Sequence, residues 1–158
     1  MKYRTEKDSL GEVKVPSKAL WGAQTQRAVN NFVISDLIMP KEFIESLLLI
    51  KIAAAKANHK LGLLDKKICD TIIKSAKFLL ESYNSEHFPV DIFQTGSGTS
   101  TNMNANEVIA NLATQKLGQD VNANDDVNMS QSSNDTIPTA ICMSALFDMD
   151  EFLFPGLD

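Results

Sequence analysis

The sequence predicts a mainly α fold with one short β element near its start. Three observations carry this. Apolar residues recur at helical spacing in three separate stretches, bounded by proline, a capping aspartate or glycine. A single short stretch, Leu10–Pro16, alternates in the manner of a strand. From Asp135 onward the chain is apolar on nearly every helical face. At 158 residues, 44% hydrophobic and 22% charged, the chain suits one soluble domain, able to bury ~70% of its unfolded surface.

The elements follow in order. Leu10-Gly11-Glu12-Val13-Lys14-Val15-Pro16 alternates and stops at a proline. Trp21-Gly22-Ala23-Gln24-Thr25-Gln26-Arg27 is a small-residue segment around the only tryptophan. A helix is predicted from Pro40 to Leu61, with proline in its first turn and Phe43, Ile44, Leu47, Leu48, Ala54 and Ala55 at helical spacing. Gly62 supplies its stop. Asp65 caps a second helix with the stripe Ile68, Ile72, Ala76, Leu79 and Leu80. Residues 84–91 form a loop. A third helix carries Val108, Ile109, Leu112, Ala113 and Leu117 and ends at Gly118. The last starts near Asp135, has Pro138 in its first turn and runs to Phe154. Ile141, Met143, Ala145, Leu146, Phe147, Met149, Phe152, Leu153 and Phe154 surround it, as in a helix that expects neighbours on every side.

Composition narrows the function classes. A net charge of -5 without a basic cluster argues against nucleic acid or an anionic membrane as partner. No apolar run reaches the ~18 residues of a membrane span. The start, Met1 to Asp8, lacks a secretory core, which points to a cytoplasmic protein. Cys69 and Cys142 lie in apolar helical surroundings and read as reduced core thiols.

Two segments stand apart. Asn124–Ala140 and Gln94–Asn106 crowd Ser, Thr, Asn and Gln together without a Lys, Arg or His. Neutral donors among small residues suit the binding of a small carboxylate by several hydrogen bonds. Gly96-Ser97-Gly98-Thr99 is neither a P-loop nor a dinucleotide fingerprint. Placed before a helix, it is either an anion cradle or a tight turn with a cap. Ser132-Ser133-Asn134 likewise precedes a helix; one residue suffices as N-cap, and three donors exceed that need. Among Asn102, Asn104 and Asn106, at least one reads as a buried amide bonded to backbone. Asp125-Asp126-Val127-Asn128 fails the calcium-loop pattern, because Gln131 and Ile137 stand where Gly and Glu are required. His59 and His87 show no metal spacing, and no nucleophile–histidine–acid set is evident.

Gln94-Thr95-Gly96-Ser97-Gly98-Thr99, Asn102-Met103-Asn104, Asn106-Glu107-Val108-Ile109-Ala110-Asn111 and Ser130-Gln131-Ser132-Ser133-Asn134-Asp135 together resemble the class II fumarate hydratases of the fumarase/aspartase superfamily. Asp8-Ser9-Leu10-Gly11 and Trp21–Arg27 add to the match. The resemblance implies reversible trans hydration of fumarate to (S)-malate, the tricarboxylic-acid-cycle reaction, with no metal or organic cofactor. It implies homotetramers of mostly helical subunits whose active sites combine residues from several subunits. It assigns Ser97, Gly98 and Thr99 as one set of substrate-carboxylate contacts and Ser132, Ser133 and Asn134 as the other. It also divides the chain into an N-terminal substrate-binding domain, residues 1–134, and a truncated first helix of the central helical bundle, residues 135–158.

Two departures accompany the match. The family's peripheral anion site, a His-Pro-Asn-Asp stretch, aligns with Asn122-Ala123-Asn124-Asp125, so its histidine is absent. Asparagine at that place also occurs in aspartases, which keeps an aspartate ammonia-lyase open as an alternative. In addition, the sequence ends before the family's Thr-His segment and its Gly-Ser-Ser-x-Met-Pro loop, which supply the acid and base. No catalytic residue is therefore assigned here. The 158-residue chain alone is expected to be inactive. A non-catalytic product that self-associates or docks on a full-length enzyme is the third reading.

Overall fold

A computed structural model describes residues 2–157. The chain is mainly α with one two-stranded sheet, as the sequence predicts. Strands β1 (Tyr3–Asp8) and β2 (Gly11–Pro16) form an antiparallel hairpin, in register from Tyr3 opposite Pro16 to Asp8 opposite Gly11. The Leu10 N–H donates to Asp8 Oδ1 (2.9 Å), and Gly11 takes a φ of +108° that closes the turn. Sequence reading finds β2 and misses β1, which has no buried residue. The chain after the hairpin is instead held by Arg4, whose guanidinium donates to the carbonyls of Pro16, Ala19 and Trp21.

Helix α1 (Ala23–Asn31) is not foreseen either. Its N-terminus has no local side-chain cap. Glu107 supplies one from across the fold, accepting from the N–H groups of Gly22, Gln24 and Thr25 at 2.8, 2.9 and 3.0 Å. A carboxylate on these orphan donors satisfies them and complements the helix dipole. The chain must pass close by: a Cβ on Gly22 would sit 2.9 Å from Glu107 Oε1. Arg27 on α1 then grips Asp8 with two bonds (2.8 and 2.9 Å). Hydrogen bonding to Arg27 holds the Asp8 carboxyl below its ordinary pKa.

The core is a helical layer of α2 (Lys41–Lys60), α3 (Lys66–Glu81) and α4 (Thr99–Leu117), joined by the start of α5 (Ser133–Asp148). Ile44, Leu47 and Leu48 of α2, Ile72 and Ala76 of α3, and Val108, Ile109 and Ala113 of α4 are wholly excluded from solvent. The larger of these contribute about 1.5–3 kcal/mol each. Pro40 stands at the N-cap position of α2, one residue before the turn that the sequence suggests. Asp65 caps α3 as expected, accepting from Lys67 and Ile68. Gly118 ends α4 in the left-handed conformation. The buried Asp91 carboxylate, in the segment before α4, anchors the connection between α1 and α2 by accepting from the Ser35 N–H and hydroxyl; it also accepts from the Phe93 N–H. Burial alone would raise its pKa; these bonds outweigh burial and hold it low.

Helix α5 starts two residues earlier than the sequence suggests and buries only Thr136, Ile137 and Ala140. It then leaves the body of the fold, continuing through a π-helical turn (Met149–Leu153) into α6 (Phe154–Leu157). Ile141, Leu146, Phe147, Phe152, Leu153 and Phe154 are all exposed. Cys142 shares that fate: it is exposed, not the core thiol read from sequence, whereas Cys69 is buried. An apolar helical surface of this kind exceeds what single chains usually present to water. The isolated chain is therefore expected to self-associate, and replacing Phe147 and Phe152 with serine to reduce that association. Multi-angle light scattering reads both; monomers at high concentration would contradict the expectation. Among the described residues, no helix is long and apolar enough to cross a membrane.

Candidate functional site

The glycine segment enters α4 directly. Gly96–Gly98 makes one 3-10 turn, and Thr99 is the first residue of the helix. Ser97 (φ 61°) and Gly98 (φ 62°) both adopt the left-handed conformation. Such a conformation is common for glycine but costs a serine free energy, and it clusters at functional loops. At Gly98 the lack of a side chain is required twice over. A Cβ there would also lie 3.1–3.3 Å from the side-chain carbons of Ile137 on α5.

That close approach joins the two segments. Thr99 Oγ1 and Ser133 Oγ are 3.0 Å apart, linking the first residue of α4 to the first of α5. Ser132 is the N-cap of α5, its hydroxyl accepting from the Asn134 N–H (3.2 Å). The capping reading thus holds for Ser132 and leaves Ser133 facing the glycine loop. Ser97, Ser132 and Asn134 are exposed, while Gly98, Thr99 and Ser133 are half-buried. Two helix N-termini, each carrying partial positive charge, therefore begin at one open polar face. None of its six residues is charged. The arrangement can accept an anion but holds no group able to abstract a proton at neutral pH.

Residues behind the face fix its shape. Gln94 accepts from the Thr101 N–H (2.8 Å) and donates to the Asp91 carbonyl (2.8 Å). Thr95 Oγ1 lies 2.9 Å from Ser100 Oγ. Asn104 is the backbone-bonding amide expected among the three asparagines, donating to the His87 carbonyl (3.0 Å). Asn106 is buried with neither side-chain polar atom paired, and the structure gives no account of it. His59 Nδ1 lies 3.0 Å from the Leu64 carbonyl. Burial lowers the pKa of His87, which sits in the turn after α3. Neither histidine is hydrogen-bonded to the glycine segment or to Ser132–Asn134.

Sequence reasoning misses one residue. Lys51, on the buried stripe of α2 between Leu47 and Ala55, has no exposed surface. Its Nζ donates to Asn102 Oδ1 (2.7 Å), Asn128 Oδ1 (3.0 Å) and Gln131 Oε1 (2.9 Å). Burial lowers its pKa from 10.5 to about 7. The signal was present: a lysine four residues from Leu47 and four from Ala55 falls in the apolar stripe.

The Asn122-Ala123-Asn124-Asp125 stretch lies in and before a π-helical turn, Ala123–Val127. Asn122 Oδ1 accepts from the N–H groups of Asn124 and Asp125 (2.8 and 2.9 Å), so its side chain serves as a cap. The adjoining cleft, about 300 Å³, includes Glu6, Asp8, Glu107 and Asp120 in its lining. Those carboxylates oppose an anion there.

Comparison with known proteins identifies the family and the fold. The family model described as lyase matches residues 11–158. The fumarate hydratase class II 2 of Pseudomonas aeruginosa is 55% identical over 98% of this chain and 34% of its own length. The fumarate hydratase class II of Halobacterium salinarum is 51% identical over 99% of this chain and 34% of its own. The chain thus spans about a third of the length of these curated relatives. Among solved structures, the class II fumarase of Schistosoma mansoni superposes with a TM-score of 0.94 at 39% identity, covering 99% of this chain and 34% of that one. A fumarate lyase:delta crystallin of Brucella melitensis gives 0.89 at 43% identity, covering 94% and 36%.

Proposed function

The chain belongs to the lyase family whose model spans residues 11–158, and from that premise we propose that it is the carboxylate-binding portion of a class II fumarate hydratase. Ser97, Gly98 and Thr99 contact one side of the substrate carboxylates, and Ser132, Ser133 and Asn134 the other. The 3.0 Å contact between Thr99 and Ser133 carries the reading, because it brings two segments over thirty residues apart to one face. In this reading residues 1–134 form the substrate domain and residues 135–158 begin a helical bundle. The exposed apolar face of α5 and α6 supports burial against further helices, as in a homotetramer. Two free cysteines, with no disulfide between them, favour the cytoplasm.

The chemistry explains why neutral donors suffice. Removing a proton from C3 of malate pushes charge onto the adjacent carboxylate, giving an aci-carboxylate-like intermediate. The reverse reaction adds water across fumarate through the same species. Preorganised N–H and hydroxyl donors at two helix N-termini stabilise that charge as an oxyanion hole does, at about 3–4 kcal/mol of barrier per donor. A carboxylate side chain in the same place would oppose it. The proton-transferring groups are not among the six residues, so the 158-residue chain alone is expected to hydrate no fumarate.

The test uses the isotope-labelled chain and fumarate in the millimolar range. Amide signals of residues 96–100 and 132–135 are expected to shift together, with no malate formed. Shifts confined to other regions, or none, would overturn the binding assignment. Steady malate production would overturn the expected inactivity.

A further inference from the structure

The Lys51 ammonium sits where three parts of the chain meet. Asn102 belongs to α4, one turn beyond Thr99. Asn128 and Gln131 belong to the turn that leads to Ser132. Thr136 of α5 approaches the same Asn102 oxygen at 3.4 Å. The side-chain amides are oriented by their other bonds. Asn102 donates to Asn128 Oδ1 (3.2 Å), Asn128 to the Gln131 carbonyl (3.4 Å), and Gln131 to the Val127 and Met129 carbonyls (2.9 and 3.2 Å). Every amide nitrogen is thereby spent on an oxygen, and each amide oxygen is turned toward Nζ.

Three acceptors match the three N–H groups of an ammonium. A neutral amine, with two N–H groups and a lone pair, would leave one oxygen facing that lone pair. The turn itself is held out of its relaxed form, with Ser130 at a φ of 59°. Ordinary core packing explains none of this, because an apolar side chain would fill the slot on α2 at less cost.

We propose that the Lys51 ammonium is a positioning residue: through Asn102, Asn128 and Gln131 it fixes the spacing of the two anion-binding segments and gives their face a buried positive charge. The part concerning substrate affinity rests on the carboxylate-binding reading above. The part concerning spacing does not.

The groups facing Nζ are Asn102 from α4 and Asn128 and Gln131 from the turn, with Thr136 of α5 beside Asn102; none is charged. Burial lowers its pKa, while the three hydrogen bonds that Nζ donates favour the ammonium and oppose that shift. The charge is therefore present at low pH and withdrawn as pH rises through a pKa that burial sets below the ordinary lysine value. His87, whose pKa burial lowers, is followed separately by its ring signals.

The decisive experiment is a titration of the wild-type chain from about pH 6 to about pH 11, without ligand. Lysine is labelled at Cε, and the amides of the two segments are followed in parallel. The Lys51 signal and the amides of Thr99, Gln131, Ser132 and Ser133 are expected to share one midpoint. Segment amides that do not move with Lys51 would overturn the proposal, and this arm needs no variant to fold. In Lys51→Met the shared transition is expected to vanish; its persistence would likewise overturn the proposal. With fumarate added, affinity is expected to fall as pH rises and to be about tenfold weaker in Lys51→Met at low pH. Fumarate affinity independent of pH would overturn the electrostatic part. If the segments titrate with Lys51 yet fumarate perturbs neither, the carboxylate-binding reading fails and the spacing role stands.

Discussion

Gly98→Ala is expected to destabilise the chain by about 2 kcal/mol and to abolish the fumarate response of both segments together. Two costs add. At a φ of 62° a Cβ is strained against its own backbone, by about 1 kcal/mol or somewhat more. The same Cβ reaches within 3.1 Å of the Ile137 side chain, which must give way by a few tenths of an ångström. That shift is expected to loosen the neighbouring Thr99–Ser133 contact. Gly118→Ala isolates the first cost, because its φ is 69° and nothing lies within 4 Å of the added carbon. Urea midpoints of the two variants, compared with their fumarate titrations, separate backbone strain from loss of the shared face. Equal destabilisation with fumarate binding intact in both would show that the approach of Gly98 to α5 does not matter.

The second large effect is expected at Glu107. Glu107→Ala removes the acceptor for three backbone N–H groups at once and should cost about 3 kcal/mol. Glu107→Gln keeps one carbonyl oxygen and should cost roughly half as much. The loss is local before it is global, since α1 has little else to hold it: only Ala23, Thr25 and Ala28 are buried. Trp21, the only tryptophan, precedes this helix and donates from Nε1 to Gln26 (3.2 Å). Its fluorescence is therefore expected to change at lower denaturant than the far-ultraviolet signal in the variant. Unaltered hydrogen-exchange protection of Gly22, Gln24 and Thr25 in Glu107→Ala would refute the capping role.

These residues also mark what the sequence makes legible. The stripes of α2, α3 and α4 were readable because their stabilising contacts lie three and four positions apart, and their ends carry local signals in Asp65, Gly62 and Gly118. The polar segments before α4 and α5 were readable as a pair by composition. Their meeting was not, because a contact between Thr99 and Ser133 depends on how helices pack. Helix α1 escaped notice for the same reason, its cap being distant in sequence. Strand β1 offered no apolar alternation, and Arg4 secures the chain beyond the hairpin by side-chain bonds to carbonyls. Lys51 was hidden by its residue type: lysines normally extend to solvent, and only its place within the stripe betrayed it. Cys142 misled in the opposite direction. Its apolar neighbours suggested a core, and they are themselves uncovered.

The reach of Glu107 to Gly22 closes a loop of 85 residues. Closing so long a chain costs about 4 kcal/mol in loop entropy alone, which offsets most of what three hydrogen bonds to a carboxylate return. The cap gains most once packing among α2, α3 and α4 has already met that cost. The hairpin and α1 are thus expected to dock late, onto a helical nucleus already formed.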